Sequence, residues 1–331
     1  MPIRQVKESN LGTAMGVRLS AIAQPFKNYK VITEIGEGGL GQVYKAIDLR
    51  SGRVVAIKVL HNRFQTNTRF LGIFHKELLI VSRLKHKHIV ESIDSSFRPP
   101  LCYIVSEFID GWSLHALMKK INIFPPLIAL SIAIDILQGI DYLHLHDTIH
   151  ADLSSANVMI EKTGRVLVTD FGLACQDAVE DHRNYMVGTP GFYSPEHVGD
   201  TAIVPQSDLY CVALLIYQMM TGTKAVPASK NRKEILSFMK KINFSRISCS
   251  DIKLQFLMRR FLKKALKQKS SRRFTTAEEM LIAIYKILRS YDIRYTRYAI
   301  HQFLSDQKLT QRNPRRPSQN IYQGALAKPK A

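Results

Sequence analysis

The sequence is short of the residues that break or cross-link a chain. Its 17 Gly and 13 Pro in 331 residues fall below ordinary usage, which excludes collagen-like and low-complexity architectures. Cysteine is scarce as well. Cys102, Cys175, Cys211 and Cys249 are widely separated and form no CxxC pair, so neither a disulfide scaffold nor a thiolate zinc site is expected, and free, mostly buried thiols are. No apolar run is long and uninterrupted. The most apolar stretch, 125–145, contains Asp135, Gln138, Asp141 and His144 and reads as a core helix rather than a membrane span. The first 28 residues lack the continuous apolar region of a signal peptide, so a soluble, cytoplasmic protein is expected. What is abundant is core material: 46% of the residues are hydrophobic and 22% charged, enough for one large domain or two modest ones, and too apolar for a disordered chain.

Acidic residues are also in deficit, with 27 Asp and Glu against 47 Lys and Arg, a net charge of +20. The imbalance is local. Residues 29–223 carry 17 basic and 20 acidic side chains, whereas residues 224–273 carry 16 basic and 2 acidic ones, and residues 294–331 carry 8 and 1. Basic surfaces attract acidic proteins, anionic lipid or nucleic acid. The RRFLKKALKQKSSRR stretch places Phe261, Leu262, Ala265 and Leu266 at helical spacing, which describes an amphipathic helix with a solvated cationic face. Aromatic interleaving and nucleic-acid motifs are missing, so nucleic acid is not favoured, while acidic partners at the basic C-terminal lobe and tail stay open beside a merely solvated face.

From Tyr29 to about Leu60 the segments YKVITEIG, GQVYKAID and RVVAIKVL read as three antiparallel strands joined by Gly-rich and Ser-Gly turns. Helical spacing runs from Phe70 to Leu84, and HIVESID and LCYIVSEFI read as two further strands. Beyond about Asp110 the helical period dominates, through LHALMKKI, LIALSIAIDILQGIDYLHLH, LYCVALLIYQMM, LQFLMRRFLKKAL and AEEMLIAIYKIL, interrupted by short strands at NVMIE and RVLVTD. From Ser305 the composition turns polar and basic. The division expected is an extension over 1–28, a folded domain over 29–290 with a β-rich part (29–109) and a helical part (110–290), and a basic, flexible tail over 291–331.

Between the first two strands lie Gly36, Glu37, Gly38, Gly39, Leu40 and Gly41, followed by Val43. Glycines at this spacing let backbone N–H groups approach phosphate without a Cβ in the way, although alone the pattern fits any flexible hairpin turn. The next strand carries Lys58 among apolar neighbours. A buried lysine is costly unless paired, so it requires an anion and a carboxylate, and Glu77 on the following helix is the natural partner. A glycine loop, a strand lysine and a helix glutamate are the parts with which a protein kinase holds the phosphates of ATP.

Over Tyr29 to Leu288 the chain resembles the eukaryotic-like (Hanks-type) serine/threonine protein kinases, most similar to bacterial ones. The resemblance rests on further segments in the family's order: YIVSEFIDG (103–111), HADLSSAN (150–157), Asp170-Phe171-Gly172, GTPGFYSPE (188–196), Asp208 and Arg273. It implies an α+β, bilobal kinase fold, a small antiparallel β-rich N-lobe with one helix and a larger, mainly α-helical C-lobe. It also implies site roles. Backbone groups of Glu107 and Ile109 would face adenine, with Ser106 at the gatekeeper position and Val43, Ala56 and Met159 around the base. Asp152 would orient or deprotonate the attacking hydroxyl, Asn157 and Asp170 would hold Mg²⁺ (or Mn²⁺), and Lys58 would face ATP. Thr189 and Phe192 would belong to the substrate-docking segment, Asp208 would anchor the catalytic loop, Glu196 would pair with Arg273, and His150, Phe171 and Val81 would stack in the core. His144 and His146 are taken as ordinary core or surface histidines.

The pattern is departed from in three places. Ala151 replaces the arginine that holds a phosphorylated activation loop, and an alanine cannot hold phosphate. Consistently, residues 173–187 contain no Ser or Thr, and Tyr185 is their one hydroxyl. Activity is therefore expected not to depend on Ser/Thr phosphorylation there. Ser154 stands where a lysine usually neutralises the transferring phosphoryl group, which removes a transition-state cation and leaves Thr189 without its usual bridging partner. Two functions stay open: a serine/threonine protein kinase using MgATP on protein substrates, or a kinase-fold scaffold of weak or no activity that binds nucleotide and presents its basic C-terminal third to partners.

Overall fold

The computed structural model describes residues 26–99, 101–175, 188–199, 201–229, 231–291 and 296–310. The described residues form two compact units, one comprising those up to Leu78 with Ser92–Phe108, the other Leu79–Glu91 with those from Ile109 to Thr310. Each has its own sheet, and together they are the N-lobe and C-lobe expected of the kinase fold.

In the first unit β1 (Tyr29–Glu37), β2 (Gly41–Asp48), β3 (Val54–Leu60), β4 (Ser92–Arg98) and β5 (Leu101–Glu107) form an antiparallel sheet in the order β1-β2-β3-β5-β4. Alternation along the strands sends Ala46, Val55, Ile57 and Val105 to one buried cluster. Phe26, assigned from sequence to the extension, belongs to this cluster and meets Tyr103 edge-on, ring centroids 5.2 Å apart. Helix α1 (Thr68–Val81) carries buried Phe74. The strand expected at HIVESID begins later, at Ser92, because Ile89 and Val90 are drawn into the second unit, where Val90 N–H donates to the Val168 carbonyl. Tertiary pairing overrides local propensity there.

The second unit is built around α3 (Pro126–His144), whose residues are nearly all buried, so the most apolar stretch of the chain serves as a core helix. It packs against β8 (Val166–Val168), α5 (Pro205–Thr221), α8 (Ala277–Arg289) and α9 (Thr296–Asp306). A three-stranded sheet, β6 (Gly111–Ser113), β7 (Val158–Glu161) and β8, carries the loops of interest between its strands. The remaining helices are α2 (Leu114–Ile121), α4 (Pro195–Val198), α6 (Arg232–Lys240) and α7 (Ile252–Ala265). Four helix starts follow side-chain capping: Ser113, Asn231, Asp251 and Thr276 each accept a backbone N–H from the first turn of α2, α6, α7 and α8. In α7, Phe261, Leu262 and Ala265 are buried and the lysines face out, as its amphipathic spacing requires.

Helix α9 occupies residues that sequence reading placed in a flexible tail. Ala299, Ile300, Phe303 and Leu304 form a buried stripe at i, i+1, i+4 and i+5. Arg297 Nη2 donates to Thr163 Oγ1 (2.8 Å), and the Lys162 carbonyl lies 2.8 Å from His301 Nδ1. The helix runs so close to the β7–β8 turn that a Cβ on Gly164 (φ +85°) would stand 2.3 Å from the Arg297 carbonyl oxygen. All four cysteines are free, three of them buried.

Candidate active site

In the first unit β3 brings Lys58 opposite Val43 on β2 and Ile104 on β5, and Ala56 opposite Ser106. Lys58 Nζ donates to Glu77 Oε1 at 2.6 Å, with side chains 22% and 5% exposed. The lysine therefore has the carboxylate its burial demands. The glycine loop closes with Gly38 N–H donating to the Gly41 carbonyl (2.8 Å). Its glycines differ in what they do. A Cβ on Gly41 would lie 2.1 Å from the Val59 carbonyl oxygen, so strand packing dictates that residue, whereas Gly36 and Gly39 have nothing within 4 Å of that position. The space left above the turn is what an approaching phosphate needs. His61, not anticipated from sequence, ties the turn down: its N–H donates to the Leu40 carbonyl, and its Nε2 lies 3.1 Å from the Gly38 carbonyl. Glu107 ends β5, paired with Val55.

The second unit holds the other predicted residues. Met159 lies on β7, opposite Leu167, and Ile109 is partly buried. The loop at 150–157 presents Asp152. Its Oδ1 accepts from the backbone N–H and the hydroxyl of Thr189, both at 2.8 Å, and its Oδ2 accepts from Asn157 Nδ2 at 3.1 Å. Thr189 thus reaches the aspartate directly and needs no lysine bridge. Burial, reinforced by the Asp170 charge, pushes the Asp152 carboxyl above its ordinary range, although the Thr189 donors pull the other way. Ser154 is fully buried with its Oγ unpartnered, so its position contributes packing and no donor to a phosphoryl group.

Asn157 spends Nδ2 on Asp152, donating also to its carbonyl at 2.9 Å, so its amide oxygen is the atom with lone pairs to offer a cation. Asp170 follows β8 in a left-handed conformation (φ +64°) and is exposed. Two oxygen donors of this kind are chemically suited to a hard divalent cation that takes its remaining ligands from elsewhere. Among the described residues no group of three or more His, Cys, Asp or Glu side chains could hold a metal without such help.

What holds Asp152 in place is a set of long-range side-chain bonds. Ala151, beside it, has φ +60°, a conformation that costs an L-residue roughly 1–2 kcal/mol. Both of its backbone polar groups are captured: the N–H donates to Asp208 Oδ1 (3.0 Å), and the carbonyl accepts from His197 Nε2 (2.8 Å). Asp208 Oδ2 accepts from His150 N–H and, 2.9 Å away, meets His144 Nε2. Burial alone would raise Asp208, but the His144 bond and charge with the His150 donor hold it below the ordinary carboxylate range. His144, taken from sequence as an ordinary histidine, is therefore part of the anchor, while the His146 ring packs at a tilt against Tyr142, centroids 4.2 Å apart. The His150 and Phe171 rings pack at 5.2 Å and Val81 is buried.

The segment 188–196 docks on the same framework. Glu196 and Arg273 form a bidentate pair, Nη2–Oε1 2.6 Å and Nη1–Oε2 3.0 Å, and Ser207 Oγ donates to Oε2. Arg273 spends its other donors on the carbonyls of Gln206, Lys267 and Gln268. The Phe192 carbonyl accepts the Cys211 thiol. Residues 176–187, which carry the expectation about loop phosphorylation, lie outside the described residues.

The protein kinase domain family matches residues 29–285. Similar proteins include a Probable serine/threonine-protein kinase of Clostridium perfringens, 28% identical over 269 residues, 80% of this chain and 39% of the relative. The Probable serine/threonine-protein kinase PknB of Lactococcus lactis is 36% identical over 200 residues (59% of this chain, 31% of the relative), and the Serine/threonine-protein kinase PrkC of Bacillus subtilis 30% over 196 (59% and 30%). The chain spans less than two fifths of the length of each of these relatives. It belongs to the protein kinase domain family, alongside the bacterial, eukaryotic-like (Hanks-type) serine/threonine kinases.

Proposed function

We propose that this chain is a cytoplasmic serine/threonine protein kinase that transfers the γ-phosphoryl group of ATP, with Mg²⁺ or Mn²⁺, to a hydroxyl on a protein substrate. The observation that carries the reading is the setting of Asp152. Thr189 and Asn157 orient its carboxylate, burial raises its basicity, and side chains from two helices pin the strained residue before it. Asp152 is thereby suited to accept the proton of the attacking hydroxyl as the new O–P bond forms and the bond from the γ-phosphorus to ADP breaks.

Lys58, held by Glu77, supplies the cation for the α- and β-phosphates, and the backbone of Gly36–Gly41 covers them. In the first unit Val43 and Ala56 would offer apolar contact to adenine and the backbone at Glu107 a polar partner; in the second, the resemblance assigns the same roles to Met159 and the backbone at Ile109. Asn157 and Asp170 would hold the divalent ion, which supplies neutralisation of phosphate charge. Thr189 and Phe192 lie in the segment that receives the protein substrate, which favours a peptide over a small-molecule acceptor. Purified protein incubated with radiolabelled ATP and Mg²⁺ or Mn²⁺, beside Lys58→Ala and Asp152→Asn, tests the reading. Label should appear in protein with the wild type alone; nucleotide binding without transfer would establish the scaffold function instead.

A further inference from the structure

One cation at the docking segment has no part in the chemistry above. Lys224 follows α5, and its Nζ donates to the Pro190 carbonyl (2.8 Å) and lies 5.2 Å from the centroid of the Phe192 ring. Residue 191 has to be glycine for this to occur: a Cβ there would stand 2.5 Å from Lys224 Cδ and 2.8 Å from its Nζ, on a backbone with φ +91°. The ammonium is therefore built into the docking segment rather than trailing past it.

Its surroundings are positive. His115 on α2 is held below its usual range by burial and then by the charges of Lys119 and Lys224, and Arg246 Nη1 bonds Thr223 Oγ1 at 3.1 Å next door. Among the described residues no carboxylate stands within ion-pair distance of Lys224, Lys119 or Arg246. Partial burial lowers the Lys224 pKa, the mark of an ammonium that has lost water without gaining an anion. The place is informative: Pro190 follows Thr189, whose hydroxyl touches Asp152. An acceptor hydroxyl near Asp152 leaves flanking substrate residues, at about 3.3 Å per extended residue, within reach of Lys224.

We propose that Lys224 is a specificity-determining residue that selects protein substrates bearing Asp or Glu near the acceptor Ser or Thr, within a positive field set by Lys119 and Arg246. This rests on the kinase reading and names the substrate class of that same site. A half-exposed pair of this kind is expected to favour an acidic flank over alanine roughly three- to tenfold in kcat/KM.

The test uses the full chain and three peptides with one acceptor serine and flanks of Asp/Glu, Ala or Lys/Arg, on the wild type, Lys224→Ala and Lys224→Glu. Ratios between peptides within one variant cancel any loss of folded protein. Wild type should prefer the acidic peptide, Lys224→Ala should be nearly indifferent, and Lys224→Glu should prefer the basic one. Anisotropy of the same labelled peptides reports binding without turnover. Absence of an acidic preference in the wild type, or its survival in Lys224→Glu, overturns the inference. Charge-selective binding without phosphorylation of any peptide would support it while refuting the kinase reading.

Discussion

Replacing Arg273 by methionine isolates the most buried ion pair in the described structure. The arginine side chain is 0% exposed and its Glu196 partner 6%, so salt and water screen neither. At about 3 Å and an effective dielectric near 20, the attraction is about 5 kcal/mol before desolvation. Methionine keeps the aliphatic stem but strands a buried carboxylate with only hydroxyl donors, a loss that in comparable cases costs about 3–5 kcal/mol. It also orphans the Gln206, Lys267 and Gln268 carbonyls. Against a total stability of about 5–15 kcal/mol, the variant should be near unfolding at 37 °C. Urea denaturation read by C-lobe tryptophan and circular dichroism measures the loss, and the double variant Glu196→Gln with Arg273→Met should recover a substantial part of it. Glu196 by burial alone would rise, yet Arg273 holds it below 4.5. Its contribution should be complete above pH 4.5 and disappear as pH falls through the lower folded value. A loss under about 1 kcal/mol in Arg273→Met, or one that 1 M salt reproduces in the wild type, would refute the reasoning.

Three other outcomes follow from the same structure. Burial raises Asp135 on α3 to about 7, beside a His88 lowered to about 4, so the Asp135 contribution is present below its unfolded value near 4 and lost as pH rises through about 7. Asp135→Asn should therefore gain on the order of 4 kcal/mol at pH 8 and nothing near pH 4, measured by thermal melts across pH. Thr189→Val should lower kcat roughly 10- to 100-fold by removing a bond to a charged group, whereas Thr189→Ser retains most activity and Thr189→Glu, which sets a second carboxylate against Asp152, abolishes it. Gly164→Ala should dislodge α9, seen as hydrogen exchange over 296–306 accelerated at least tenfold; unchanged protection would show that the close approach is not needed.

The segments whose signals are local were legible. Strand alternation and the Gly-rich turn announced β1 to β3, and the amphipathic spacing of α7 put Phe261, Leu262 and Ala265 inside. Lys58 demanded a carboxylate on grounds of burial, and Glu77 answers. Helix α9 was readable in principle from Ala299, Ile300, Phe303 and Leu304, but the polar, basic residues that follow obscured so narrow a stripe. The roles of His144, His197 and Lys224 were not legible, because each acts on a residue 34 to 64 positions away and no periodicity encodes such a meeting.

The sequence by itself determined the fold class, the order of the motifs and the chemistry each residue type can perform, since these follow from spacing, charge and functional group. Only the tertiary structure decided how the loop survives without its usual arginine and lysine: Asp208 and His197 seize both ends of Ala151, and Thr189 reaches Asp152 unaided. The physical reason is distance. Hydrogen bonds act over about 3 Å, and only the folded chain brings residues so far apart in sequence within that range.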